Sequence, residues 1–253
     1  MKILLHFIFC GQIALIVLGA ILYAEETSQV PVKVPSEKNV AVPPPRPPDP
    51  LLEIAAQAVT GDKFLDHLTI VEQIRNPQPG PVTLMSENSE VLSSKLIAQM
   101  ARKAHLRAGW YYRCTKCEKW HLKMAGAYAI AGDVVVTAHH VLATPDSLRE
   151  GWFIVTDEQN KLYPTKTLLG TDETADTAII RVSGEGLVPL PLAAEVEQGE
   201  AAYCFSDPLG NRGYFSDGIV NRLFFPDATQ KPTSQVMNVS TDWAQGSSGS
   251  AIL

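Results

Sequence analysis

Clustered positive charge is the first thing that this sequence lacks. Its 253 residues include 21 Lys and Arg against 27 Asp and Glu, so the formal net charge is −6, and no Lys/Arg-rich run occurs. Binding to the phosphates of nucleic acid needs a clustered basic face. The composition therefore argues against nucleic acid as a main partner.

Long hydrophobic runs are also scarce, and the one that stands out lies at the N-terminus. Residues 1–24 contain one basic residue, Lys2, and then an apolar stretch that ends at Ala24 before two glutamates. This pattern predicts a secretory signal peptide. The run is also nearly long enough to span a bilayer, so an uncleaved membrane anchor is the alternative. Either reading places the rest of the chain outside the cytoplasm, in the periplasm or secreted.

Aromatic residues are missing from residues 25–50, which are rich in proline. A segment of this composition cannot bury enough apolar surface to fold, so we predict a disordered linker. Residues 51–109 have apolar positions at helical spacing and predict a short helical region. Residues 110–253 form the remaining domain.

Short β-rich runs separated by turn residues dominate this last domain. Examples are "AGAYAIAGDVVVTAHHV", "GWFIVTDEQNKLYPTKTLLG" and "DTAIIRV". Many short strands with turn signals between them predict an all-β barrel or sandwich.

Three places in the β region carry residues that nucleophilic catalysis requires. His139 and His140 follow an apolar strand, Asp176 precedes another, and Ser248 lies within "GSSGSA". A serine hydroxyl becomes a good nucleophile when an imidazole takes its proton, and a carboxylate fixes the tautomer of that imidazole. Flanking glycines let backbone N–H groups converge on one point and form an oxyanion hole.

In these segments the chain resembles the trypsin-like serine peptidases, and among them the bacterial HtrA-type and related secreted enzymes. "TAHHV" matches the family's segment for the general base and implies His140 in that role. "DTAII" matches its acid segment and implies Asp176, and "GSSGS" matches its nucleophile segment and implies Ser248. Gly246 and Ser248 would supply the oxyanion N–H groups. A fourth stretch, "GEAAYCFSDPLGNRGYFSDGIVNR", resembles a non-catalytic part of the same family.

The resemblance implies two antiparallel β-barrels of the six-stranded type, with the active site between them. Only five residues follow Ser248, so the second barrel is expected to be incomplete and the chain to be C-terminally truncated. The resulting expectation is an exported serine endopeptidase that acts on polypeptides and needs no cofactor or metal. The alternative is an inert peptidase-fold scaffold for binding, which the missing strands would favour.

Asp242 lies six residues before Ser248, where family members that cleave after Lys or Arg hold an acid. A buried carboxylate there would pair with a basic substrate side chain. Alternatively, Asp242 has only a structural role.

Cysteine is rare, with four residues in the chain, one of them in the signal. Cys114 and Cys117 form a C-x2-C pair, followed by His121. Three readings stay open: a disulfide between the two, which we favour in an oxidising compartment; reduced thiols with a redox role; or half of a zinc site, completed by His121 or Cys204.

Overall fold

The computed structural model describes residues 49–59, 63–86, 91–225 and 234–253. The predicted signal (1–24) and nearly all of the predicted linker (25–50) lie outside these described residues, and both stay predictions. Within the described ranges, no helix is long and apolar enough to cross a membrane.

Among the described residues, three short helices precede the strands, in the region where the apolar spacing predicts helix. They are α1 (Leu51–Ala58), α2 (His67–Arg75) and α3 (Ser94–Ala104). The side chain of Asp66 accepts a 2.7 Å hydrogen bond from the Thr69 N–H, which satisfies one of the unpaired donors at the start of α2.

Seven antiparallel strands form the first sheet, in the order β5-β4-β1-β2-β3-β7-β6. The strands are β1 (His105–Cys114), β2 (Trp120–Ala131), β3 (Val134–Thr137), β4 (Leu148–Thr156), β5 (Leu162–Tyr163), β6 (Thr165–Asp172) and β7 (Thr177–Val182). The two ends of this order, β5 and β6, are separated along the chain only by Pro164. The sheet therefore curls round on itself. Strands β5 and β6 form one continuous stretch that is interrupted at Pro164, because proline lacks a backbone N–H.

The interior of the curled sheet is the main hydrophobic core. Trp110 and Phe153 pack edge to face there, with ring centroids 5.4 Å apart, and both are fully buried. Leu142, from the turn after β3, is also fully buried in this core. The burial of Leu142 fixes the position of the segment that carries His140.

A smaller second sheet contains β8 (Ala201–Ser206), β9 (Tyr214–Phe224) and β10 (Val236–Val239), in the order β10-β9-β8. Leu253 exchanges two backbone hydrogen bonds, of 2.8 and 2.9 Å, with Tyr203 of β8. Together the two sheets confirm the predicted all-β, trypsin-like fold class.

The border between helical region and β-domain differs from the predicted one. Strand β1 begins at His105, whereas the helical pattern was expected to continue to Gly109. Residues 107–109 pair with β2 on one side and with β4 on the other, and these pairings override the local helical pattern.

Candidate active site

The pairing of β3 with β7 brings two of the predicted site residues together. Thr137, the last residue of β3, lies opposite Ala178 near the start of β7. His140 follows β3 within a short 3-10 turn (His139–Leu142), and Asp176 directly precedes β7. Antiparallel neighbours place the end of one strand beside the start of the other, so residues 36 positions apart in sequence meet.

Asp176 holds His140 through both of its carboxylate oxygens. Oδ2 lies 2.8 Å from Nδ1 of the His140 ring, and Oδ1 accepts a 2.9 Å hydrogen bond from the His140 backbone N–H. An ionised carboxylate only accepts hydrogen bonds, so Nδ1 carries the proton and Nε2 is the nitrogen available for proton transfer. The side chain of Asp176 is 15% exposed and that of His140 is 54% exposed.

The charge of this pair follows from its contacts. Burial raises the pKa of Asp176, but the hydrogen bonds from the His140 ring and backbone outweigh it, so the net pKa lies below the ordinary value. Asp176 also adopts a left-handed backbone conformation, with φ of +47°. Aspartate tolerates this region better than most residues do. The carboxylate is therefore ionised at neutral pH and fixed in orientation.

His139 and Asp172, which lie beside the proposed pair in sequence, have other contacts. The His139 ring contacts the hydroxyl of Thr171 through Nδ1. The carboxylate of Asp172 accepts hydrogen bonds from the backbone N–H groups of Thr174 and Ala175, and so it stabilises the turn before Asp176.

The segment with Ser248 packs directly against the backbone of the first sheet. A Cβ atom at Gly249 would overlap the carbonyl oxygen of Gly126 in β2 and the hydroxyl of Thr137. Gly249 also has a φ of +75°, which favours glycine. The absence of a side chain at this position therefore lets the Ser248 loop lie against the strand end that leads to His140.

Several N–H groups of this loop have no acceptor within the described part of the chain. Ser247 N–H donates to Ala244 O and Ser250 N–H donates to Ser247 O, whereas the N–H groups of Gln245, Gly246, Ser248 and Gly249 have no acceptor there. Gly246 has a φ of +100°, and a Cβ at this position would lie 2.7 Å from the carbonyl oxygen of Asp207. The oxyanion role of Gly246 and Ser248 therefore stays a prediction.

The third member of the predicted triad is not joined to the other two by a hydrogen bond. Among the described residues, the hydroxyl of Ser248 has no hydrogen-bond partner, His140 included. The neighbouring hydroxyl of Ser247 contacts Ser206 Oγ at 3.0 Å and accepts from the Ala244 N–H at 3.3 Å, which stabilises the turn.

Asp242 is exposed, whereas the predicted specificity role requires a buried carboxylate. Its carboxylate accepts a 3.2 Å hydrogen bond from the Tyr214 hydroxyl, and its backbone exchanges hydrogen bonds with Ser216 Oγ. The carboxylate therefore remains accessible to a ligand, and the substrate-binding role stays a prediction.

Cys114 and Cys117 are free thiols, and the favoured disulfide between them is not formed. Instead, their sulfur atoms lie with a ring nitrogen of His121 in a group that could hold a metal ion. Hydrogen bonds from the Ser147 hydroxyl and from the backbone N–H groups of Lys116 and Cys117 lower the pKa of Cys114 to about 7. The third exported thiol, Cys204, is buried, and this burial raises its pKa.

Sequence reasoning missed the residues that position the Ser248 loop. Gly126 and Thr137 are joined by a 2.8 Å hydrogen bond from the Thr137 hydroxyl to the Gly126 carbonyl, and both contact the loop. The one signal in the sequence was the run of small residues "AGA" within a strand, where a glycine often marks the close approach of another backbone.

Sequence and structure comparisons relate the chain to known proteins. A family model described as a trypsin-like peptidase domain matches residues 126–253. The serine protease PepD of Mycobacterium tuberculosis is 36% identical over 66 residues, which cover 25% of this chain and 14% of PepD. The crystal structure of Deg5 superposes with a TM-score of 0.49 at 18% identity, covering 63% of this chain and 78% of Deg5.

Proposed function

Because the chain belongs to the trypsin-like peptidase domain family, we propose that it is a serine endopeptidase that hydrolyses polypeptides through His140, Asp176 and Ser248. The observation that carries the proposal is the double contact between Asp176 and His140. A carboxylate that binds both the ring Nδ1 and the backbone N–H of one histidine fixes that ring in the tautomer and orientation that a general base needs.

The reaction begins when Ser248 Oγ attacks the carbonyl carbon of the peptide bond and Nε2 of His140 takes the hydroxyl proton. Asp176 stabilises the imidazolium that results and remains ionised. The N–H groups of Gly246 and Ser248 donate to the carbonyl oxygen as it becomes negative. Each donor of this kind lowers the barrier by about 3–4 kcal/mol.

Collapse of the tetrahedral intermediate breaks the peptide C–N bond, and His140 returns its proton to the leaving amine. The acyl group stays on Ser248 as an ester. Water then attacks this ester, with His140 again taking the proton, and the carboxylic acid and the free serine hydroxyl are released. None of these steps requires a cofactor.

The hydrogen bond from Ser248 to His140 is expected to form with substrate bound. Catalytic hydrogen bonds are often long or poorly aligned without substrate and tighten in the Michaelis complex. The packing of Gly249 against Gly126 and Thr137 supports this, because it holds the loop beside the strand end that precedes His140.

Asp242 is our candidate for a substrate contact. Its exposed carboxylate would bind a Lys or Arg side chain of the substrate by a charge-assisted hydrogen bond. Replacing Asp242 with Asn would then reduce kcat/KM for peptides with Lys or Arg before the cleaved bond and leave that for Leu peptides unchanged. An equal effect on both would assign Asp242 a structural role.

We propose that the enzyme acts outside the cytoplasm, on the basis of the apolar N-terminal segment (1–24) and the resemblance to secreted peptidases. That segment would either be cleaved as a signal or tether the enzyme to the membrane through the proline-rich linker. Immunoblotting of cell fractions tests this, and a full-length chain in the cytoplasm would contradict it.

A fluorophosphonate probe tests the chemistry, because it forms a covalent bond only with an activated serine. Wild-type protein should be labelled, and Ser248→Ala and His140→Ala should not. Ser250→Ala is the matched control, since the Ser250 hydroxyl is buried in the same loop, and it should keep the label. Circular dichroism should show the same fold for all four proteins.

Absence of labelling in correctly folded wild-type protein would favour the inert binding scaffold. The observation behind this second candidate is the Ser248 hydroxyl, which makes no hydrogen bond within the described residues. Labelling that survives in Ser248→Ala would place the nucleophile elsewhere.

A further inference from the structure

The turn between β1 and β2 gathers three metal-binding side chains that the peptidase mechanism does not use. We call Cys114, Cys117 and His121 the hairpin cluster. One donor atom from each lies within 4.8 Å of the donor atoms of the other two. Cys114 ends β1 and His121 is the second residue of β2, so the pairing of the two strands fixes the positions of both ends of the cluster.

The hairpin geometry brings the donors close enough for one ion. Zinc bonds of about 2.3 Å to sulfur and 2.0–2.1 Å to nitrogen, in tetrahedral geometry, place two ligand atoms about 3.6–3.8 Å apart. Cys117 Sγ and His121 Nε2 lie 3.0 Å apart, so they would separate by roughly half an ångström to admit the ion. Cys117 is exposed and its side chain is free to make this adjustment.

Surrounding groups hold the Cys114 sulfur in a conformation that suits a metal ligand. The backbone N–H of Lys116 donates to Cys114 Sγ at 3.3 Å. Ser147 belongs to the segment before β4, and its carbonyl oxygen accepts a 2.7 Å hydrogen bond from the Thr115 N–H. Outer partners of this kind orient metal ligands and tune their affinity.

The remaining carboxylate of the turn is engaged elsewhere. Glu118 Oε2 lies 3.1 Å from Arg113 and 2.9 Å from Arg149, so two guanidinium groups already bind it. A metal ion in the hairpin cluster would therefore have three protein ligands and a fourth position open to water. The exposure of Cys117 leaves room for that water.

We propose that the hairpin cluster binds one zinc ion through Cys114, Cys117 and His121, with water as the fourth ligand. Two thiolates and an imidazole match the ligand preference of Zn²⁺, whereas Mg²⁺ and Ca²⁺ prefer oxygen ligands. The ion would join the end of β1 to the start of β2. This site is separate from the proposed catalytic residues and does not depend on their function.

Metal analysis of the full chain, purified under reducing conditions and loaded with Zn²⁺, tests the proposal. After removal of excess metal, wild-type protein should retain about one zinc per chain. Co²⁺ in its place should give the absorption bands of a tetrahedral thiolate site. Cys117→Ser and His121→Gln should lose the retained zinc. Both variants should fold, because Cys117 is exposed and His121 is half-buried.

Cys204→Ala is the matched control, because it removes a thiol that lies outside the cluster, and it should keep the zinc. Ser248→Ala should bind zinc like wild type, so failure of the proposed peptidase activity and failure of the zinc site give different results.

Three results would overturn the proposal. One is reduced, folded wild-type protein that retains no zinc after loading. Another is retained zinc that persists in both Cys117→Ser and His121→Gln. The third is a Cys114–Cys117 disulfide that forms even in the presence of Zn²⁺, which would show that the pair prefers oxidation to metal binding.

Discussion

At the residue scale, the Asp176 carboxylate binds His140 at two places, the ring and the backbone. Its Oδ2 atom orients the ring through Nδ1, and its Oδ1 atom holds the backbone of the same residue. The ring contact alone would not fix the backbone of His140, and the backbone contact alone would not fix the ring. Both together restrict the ring and the chain that carries it.

Asp176→Asn should lower kcat by about 10⁴-fold, because an amide can stabilise the wrong tautomer of the imidazole and cannot stabilise the imidazolium. Steady-state hydrolysis of a peptide substrate would measure this. Asp172→Asn is the control: its side chain also accepts hydrogen bonds near the site, but from the turn, and an amide oxygen still accepts them. Equal losses in both variants would mean that Asp176 acts only through the turn.

The polar residues of the candidate site could be named from the sequence, whereas the residues that position them could not. His140 and Asp176 could be singled out because their segments follow a family pattern, and strand pairing brings them together. Gly126 and Thr137 could not, because their role depends on which backbone lies against β2. The states of Cys114 and Cys117 also depend on the three-dimensional turn, where donors to sulfur and the ring of His121 become visible.

At the element scale, β2 acts as a support for the loop of the proposed nucleophile. A Cβ atom at Gly126 would lie 2.9 Å from the backbone nitrogen of Ser250 and 3.0 Å from the carbonyl oxygen of Ser248, and would overlap the Ser250 hydroxyl. Two of these atoms belong to the backbone and cannot rotate away. The loop can approach only because this strand position lacks a side chain.

Gly126→Ala should therefore displace the Ser248 loop and lower kcat/KM by about 100-fold, since a shift near 1 Å at a reacting group has an effect of this size. Gly132→Ala is the matched control, because a Cβ there meets no atom within 4 Å and should leave activity unchanged. The fluorophosphonate labelling rate of each variant gives an independent measurement. Wild-type activity in folded Gly126→Ala would refute the supporting role of β2.

Strand β1 illustrates what sequence pattern can and cannot predict at this scale. The strands around the turns at residues 132–133 and 158–160 followed from alternating β-rich runs and turn residues. The start of β1 did not, because residues 105–109 have a helix-compatible pattern. Their state is decided by strand pairing, which begins at His105 with β2 and at Arg107 with β4. Those partners lie far away in sequence.

At the scale of the whole molecule, a buried contact joins the curled sheet to the second sheet. His105 Nε2, at the start of β1, lies 3.2 Å from Asp207 Oδ2, just after β8, and the two side chains are 5% and 11% exposed. The other oxygen of Asp207 accepts a 2.8 Å hydrogen bond from the Gly213 N–H. The carbonyl oxygen of Asp207 also lies against Gly246, so the same residue contacts the predicted oxyanion loop.

Burial raises the pKa of Asp207, but contacts with His105, Gly213 and Arg107 outweigh it and hold the net pKa below its ordinary value of 3.8. A group with a lowered folded-state pKa stabilises the fold above its unfolded-state pKa, and this stabilisation is lost as the pH falls through the folded-state value. The contact between the two sheets should therefore be strongest above about pH 4 and weaken in more acidic solution.

Asp207→Ala should lower the free energy of unfolding at neutral pH by about 3 kcal/mol. This value lies between the cost of leaving a buried hydrogen-bond donor without an acceptor and the cost of leaving a buried charge without its partner. Urea denaturation at a series of pH values measures this. The difference from wild type should shrink as the pH falls below 4 and then through the lowered folded-state pKa, where Asp207 is protonated in the wild-type protein as well. Asp217→Ala removes an exposed acid on β9 and should cost much less at every pH. A pH-independent difference for Asp207→Ala would mean that its charge does not hold the two sheets together.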